Sequence, residues 1–241
     1  MKQRRLSVVP WSIAVIVVVA LASQIGFAIM QPRPQARPQE LPAPPPPPVF
    51  RAMSLGDPIA LAQASTLWLQ AFDNQPGISI PFLDLDYGKV EAWLQRILQL
   101  DPRGQYPLMM ASQLYAQVPD ERKQRLMLEL VHREFLADPN RRWPWMAHAT
   151  IMAKHRLNDL PLALSYAQAL ATHATGVDVP HWARQMEIFL HEDMGEYETA
   201  RILLGGLLNS GAVQDEHEMH FLIERLNALK DAEKSSRASG K

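Results

Sequence analysis

The feature that most constrains this chain is a helix stop followed by a helix start, written twice. Residues 101–111 read DPRGQYPLMMA and residues 138–148 read DPNRRWPWMAH. The two align without gaps at an offset of 37, pairing Asp101 with Asp138, Pro102 with Pro139, Tyr106 with Trp143, Pro107 with Pro144 and Met109 with Met146. A fainter third copy begins at Pro180, where PHWA stands for PLMM and PWMA. Proline lacks an N–H and pushes its predecessor out of the α region, so Asp-Pro ends a helix. Tyr-Pro or Trp-Pro then restarts one, because proline suits the first helical turn. Self-similarity at such a period marks a stacked repeat array. The expected fold is all-α, built of stacked antiparallel helix pairs.

Apolar spacing places the helices between these signals. Tyr87, Val90, Leu94 and Ile97 stand at intervals of three, four and three, which puts them on one face of a helix over 87–100. The same intervals recur at Leu160, Ala163, Ala167 and Leu170, and at Tyr197, Ala200, Leu204 and Leu207. The corresponding copy at Gln124, Met127, Val131 and Glu134 is half polar, so this helix is expected to be the weakest. Proline-started helices are expected at about 106–117, 143–155 and 179–192. Asp57-Pro58 opens a first helix running to about residue 73, with DNQPGISIPF as the loop after it. A last helix, about 215–230, covers the final hairpin, and the polar residues 233–241 read as a disordered tail.

These residues resemble the tetratricopeptide repeat (TPR) family, helix-turn-helix units that stack into an α-solenoid. The second-helix pattern is carried by Tyr87, Val90, Leu94, Ile97 and Pro102, the first-helix pattern by Leu108, Ala111, Ser112 and Tyr115, and a family-like turn by Gly195-Glu196-Tyr197 with Ala200. The likeness covers roughly residues 56–209. The period here is 36 to 37, and the family's first-helix glycine is replaced by Ser112 and Ala149. The resemblance implies a concave face, lined by the first helix of each hairpin, that binds peptides or other proteins. The residues mapping to that groove are Tyr106, Met109, Gln113, Trp143, Met146, Thr150, Lys154, Trp182 and Met186.

The N-terminus is of another kind. Lys2, Arg4 and Arg5 precede an uncharged run from Leu6 to Pro32, long enough to cross a bilayer core of about 30 Å. A transmembrane anchor over residues 1–31, embedded through 8–30, is the expectation. A cleavable signal peptide ending at Ala20-Leu21-Ala22 is the competing one. Basic residues ahead of the run favour an inside N-terminus, which places the helical domain, residues 50–232, outside the cytoplasm at the inner membrane of a Gram-negative-like envelope. Between them, residues 32–49 are a proline-rich linker with nine prolines from Pro32 to Pro48, read as a semi-rigid polyproline II spacer or as a ligand for an aromatic groove.

What remains limits the chemistry. The formal net charge is −1, so no nucleic-acid partner is implied, and the absence of cysteine removes disulfides and thiolate metal sites. His217 and His220 stand three apart near Glu216 without a clear third ligand, and no phosphate-binding glycine loop or nucleophile elbow occurs. Arg141, Arg142 and Lys154 near Trp143 suggest a positive patch, and Glu187, Glu192, Asp193, Glu196, Glu198, Asp215, Glu216 and Glu218 make the last third acidic. No catalytic, cofactor or metal residue is assigned. The expected function is a non-catalytic, membrane-anchored TPR-like adaptor or scaffold that binds proteins or peptides of the cell envelope. The alternative is a cell-wall glycan hydrolase or glycan-binding protein, for which Glu134, Glu187 and Glu192 would have to converge.

Overall fold

The computed structural model describes residues 10–30, 38–210, 213 and 215–239, with side chains to 235. The described residues are helical apart from loops and one small ribbon, and the chain divides into two units. The first, Met1–Pro38 with Pro76–Ile78, contains α1 (Trp11–Met30), twenty residues with no charged side chain and none buried. At 1.5 Å per residue this helix is about 30 Å long, enough to cross a membrane or to serve as a signal sequence.

The second unit, Gln39–Gln75 with Ser79–Lys241, holds the rest. Its helices are α2 (Pro47–Met53), α3 (Pro58–Gln70), α4 (Tyr87–Leu100), α5 (Tyr106–Met109), α6 (Glu121–Ala137), α7 (Pro139–His155), α8 (Leu160–His173), α9 (His181–Asp193), α10 (Tyr197–Asn209) and α11 (Glu216–Ser239). Helices α6 to α11 each pack on the next in sequence, α3 packs on α4, and α4 also meets α6. Aspartates start five of the helices by accepting from first-turn N–H groups: Asp57 from Ala60 on α3, Asp86 from Gly88 and Lys89 on α4, Asp120 from Lys123 on α6, Asp159 from Leu162 on α8 and Asp215 from Glu218 on α11. For Asp159 that bond, followed by Arg125, holds the carboxyl below its ordinary value.

The spacing argument is visible in the core. Tyr87, Val90, Leu94 and Ile97 are buried, as are Ala163, Ala167 and Leu170, and Ala200 and Leu204. The half-polar copy on α6 forms just as well, because its polar positions are used: Gln124 Nε2 donates to the Val118 carbonyl at 2.7 Å, and Glu134 pairs with Arg142 at 2.8 Å. Met127 and Val131 between them are fully buried.

Four expectations change. The helix expected over 106–117 breaks after one turn, continuing as a π segment, Met110–Leu114, and a 3-10 turn, Tyr115–Gln117. Helix α7 starts at Pro139 and carries Pro144 inside it, so the second copy's start signal is Asp138-Pro139 and not Trp143-Pro144. The tail expected to be disordered from residue 233 is helical to Ser239. Between α3 and α4 the loop contains two-residue strands, β1 (Asn74–Gln75) and β2 (Ile78–Ser79), with Gly77 at a left-handed φ of 80°.

The proline-rich linker is also less free than a spacer. Residues 31–37 lie outside the described residues, but from Gln39 onward the segment is held on the second unit. Gln75 brackets the Gln39 backbone with its side-chain amide, accepting from the N–H at 2.7 Å and donating to the carbonyl at 2.9 Å. Trp93 Nε1 donates to the Pro42 carbonyl at 2.8 Å, Leu41 is buried, and Phe50 sets its ring edge-on to Trp93 at 5.7 Å. A polyproline backbone makes no internal hydrogen bonds, so its carbonyls are open to such donors. Burying Leu41 and Phe50 contributes roughly 1.5–3 kcal/mol each. Pro47 and Pro48 then occupy the first turn of α2, where missing N–H groups cost nothing.

Candidate functional site

The nine residues expected to line a groove separate into three sets. Met146 and Thr150 are fully buried, and Thr150 Oγ1 donates to the Met146 carbonyl at 2.9 Å, so both belong to the core and not to a surface. Met109 and Met186 are half-buried against the same core, and Lys154 is held by Asp193. Tyr106, Gln113, Trp143 and Trp182 keep exposed surface. Tyr106 donates its hydroxyl to Gln70 Oε1 at 2.8 Å and edges a cleft of about 460 Å³ between α3 and α5, lined also by Ala62, Thr66, Leu67 and Ile97.

One pair from the expected groove does come together. Trp143 on α7 and Trp182 on α9 meet edge to face, centroids 5.5 Å apart at 76°, a geometry aromatic quadrupoles favour. Beyond Trp182 the surface opens into a cleft of about 540 Å³ between α9 and α11, walled by Pro180, Phe189 and Phe221. Half of Trp182 (51%) and of Phe221 (52%) is exposed, which is far more apolar surface than packing requires. A second cleft of about 520 Å³ shares His181 and Glu218 with the first and adds Val177, Arg184 and Asp215. The result is a continuous groove, aromatic at one end and polar at the other.

The groove's polar groups are positioned by neighbours. Gln185, itself buried, donates to Glu218 Oε1 at 2.8 Å and joins α9 to α11. Arg184 reaches His181 Nδ1 at 3.1 Å; a guanidinium only donates, so Nδ1 accepts and the ring proton sits on Nε2. Behind Phe189, Arg225 lies 6.0 Å from the ring centroid and clamps Glu192 with bonds of 2.7 and 2.9 Å. Such a surface offers aromatic area at one end and hydrogen-bonding groups at the other.

Phe189 on α9 and Phe221 on α11 are not among the residues the sequence places in the groove, Phe221 because a helix that covers the last hairpin is expected to have no open face. The aromatic at Phe221 is the available signal. The expected positive patch is dismantled: Arg142 is buried, and Arg141 is paired with Asp138 at 2.9 Å. The acidic third is largely paired too, Glu192 with Arg225, Asp193 with Lys154, and Glu187 and Glu196 with His191. Of the three carboxylates a glycan hydrolase would need, Glu134 is engaged on α6 by Arg142, while Glu187 and Glu192 lie on α9 with His191 and Arg225. His220 lies 3.5 Å from Glu224, and among the described residues no three potential ligands gather around a metal position. No protein-family model, no curated protein and no solved structure matches this chain.

Proposed function

We propose that this chain is a membrane-anchored, TPR-like scaffold that captures an extended peptide or a partner protein of the cell envelope in the α9–α11 groove, without chemistry of its own. In this reading α1 crosses the inner membrane and the helical unit faces the periplasm. The pairwise packing of successive helices and the 37-residue recurrence support the repeat architecture. The observation that carries the binding role is the half-exposed Trp182, held edge to face by Trp143 and lining an open cleft with Phe221. Large exposed aromatics beside a polar rim are typical of interface anchors.

The test is site-directed photocrosslinking from Phe221 in intact cells, with and without Trp182→Ala. Recovery of one or a few envelope proteins, lost in the variant while its melting temperature is kept, supports the scaffold. Identical recovery from both forms removes the groove from the binding role.

A further inference from the structure

At the α2–α3 end of the second unit, apolar side chains stand open to solvent. Val49 and Met53, one helical turn apart on α2, are each 52% exposed, Leu55 in the turn after it is 95% exposed, and Ile59 on α3 is 52% exposed. Leu55 is also held at φ +49°, a left-handed backbone that costs a branched side chain and suits glycine or asparagine. A leucine in that conformation gains nothing from the folded unit, since its side chain touches almost none of it. Beside this patch a cleft of about 390 Å³ contains Arg51 and Arg96 together with Gln99, and the residues lining it include no carboxylate. Arg96 donates to Gln99 at 2.8 Å, while its Nε is buried without a partner.

The covalent connection limits what can reach this surface. Only residues 31–38 join the last residue of α1 to Gln39, where the chain is already fixed to the second unit. Fully extended, that connection reaches on the order of 30 Å. We infer that α2 and the α2–α3 turn rest in the headgroup region of the bilayer that α1 enters, with Val49, Met53 and Leu55 among the acyl chains and Arg51 and Arg96 on the phosphate of an anionic lipid. Apolar burial supplies the insertion and the arginine pair the preference for anionic headgroups, the combination that interfacial segments use. This inference rests on the anchor reading of α1.

The chain has no cysteine, so Leu55→Cys gives a single site for an environment-sensitive fluorophore. The full-length labelled protein is reconstituted into vesicles of phosphatidylcholine alone or mixed with phosphatidylglycerol, with Ile202→Cys on α10 as the reference. The expected result is a blue-shifted emission at position 55, several-fold more quenching there than at 202 by quencher-bearing lipids, and a stronger effect with phosphatidylglycerol that Arg51→Glu removes and Met53→Glu weakens. Protein that floats with the vesicles but reports water at position 55 overturns this inference and leaves the anchor standing. Equal effects in both vesicle types overturn the headgroup role of the arginines. Failure to float overturns the anchor and this inference with it.

Discussion

Residues 101–111 and 138–148 carry the same punctuation at the same spacing, and the fold uses it differently. In the first copy Asp101-Pro102 makes a turn, with Asp101 accepting from Arg103 and Gly104, and the helix waits until Tyr106. In the second, Asp138 ends α6 and starts α7 at once, its carbonyl accepting from Arg141 and Arg142. The difference lies in three aligned pairs. Gly104 stands against Arg141, Gln105 against Arg142, and Ile97 against Glu134. Glycine is a poor helix former, and a Cβ on Gly104 would lie 2.9 Å from the Asp101 carboxylate and 3.2 Å from its carbonyl. Arg142, by contrast, gives the α7 first turn a reason to form where it does: it bonds the Glu134 carboxylate, the Glu134 carbonyl and the Pro102 carbonyl of the first copy. A proline signal says only that a boundary is near. The neighbouring side chains decide on which side of it the helix begins.

The largest expected effect is on that arginine. Arg142→Ala leaves Glu134, 18% exposed, without its cation and uncaps two carbonyls, so stability should fall by about 3–5 kcal/mol in urea unfolding. Replacing both partners by the first copy's residues, Glu134→Ile with Arg142→Gln, should recover most of the loss, since two neutral groups do not need each other. A double variant as unstable as Arg142→Ala would show that the carbonyl bonds, and not the ion pair, set the start of α7.

Pro144 is expected to come next. It sits in the interior of α7, where it removes one hydrogen bond and crowds the preceding turn. Pro144→Ala should therefore raise stability by about 1–3 kcal/mol, with unchanged helicity by circular dichroism. A loss instead would mean that Pro144 packs against a neighbour better than a regular helix would. Gly104→Ala acts on the other copy and in the opposite direction. Its methyl group meets Asp101 in the turn, and a loss of about 1 kcal/mol is expected. A gain would show that the first copy, too, accepts an earlier helix start.

The core faces of α4, α8 and α10 were legible because apolar spacing needs nothing from outside the segment: Val90, Leu94, Ala163, Ala167, Ala200 and Leu204 all sit where the intervals put them. Two differences share a cause. Analogy of position puts Met146 and Thr150 in a groove and composition puts Arg142 in a charged patch, yet what surrounds each is decided by the packing of neighbouring helices, as when Arg142 reaches both Glu134 and the Pro102 carbonyl. The same holds for residues 39–48, whose prolines announce an extended chain but not the Gln75 and Trp93 donors that fasten it. The candidate groove was half legible. Trp143 and Trp182 lie on proline-started helices, whereas Phe221 enters from α11, which has no counterpart in the repeat.

The smallest effect sharpens the comparison at its last aligned position, where Ala111 stands against His148. Ala111 is fully buried; the half-buried His148 carries an Nε2 that is out of water and has no partner. Burial lowers the proton affinity of this imidazole below its ordinary value, and a weaker backbone contact with Ser112 acts the other way. The sign follows from linkage. The folded chain protonates His148 less readily than the unfolded chain, so as pH falls through the unfolded value of about 6.5 the unfolded chain takes up more protons and stability declines; well above that pH neither form takes up a proton and the group contributes no slope. His132 is shifted in the same direction, by burial first and by His173 second, so the slope is shared between them. His148→Ala should leave stability at neutral pH within about 1 kcal/mol and flatten the fall of the melting temperature below pH 6.5 without abolishing it. If the slope is unchanged, water reaches Nε2 and the second copy is no drier at this position than the surface.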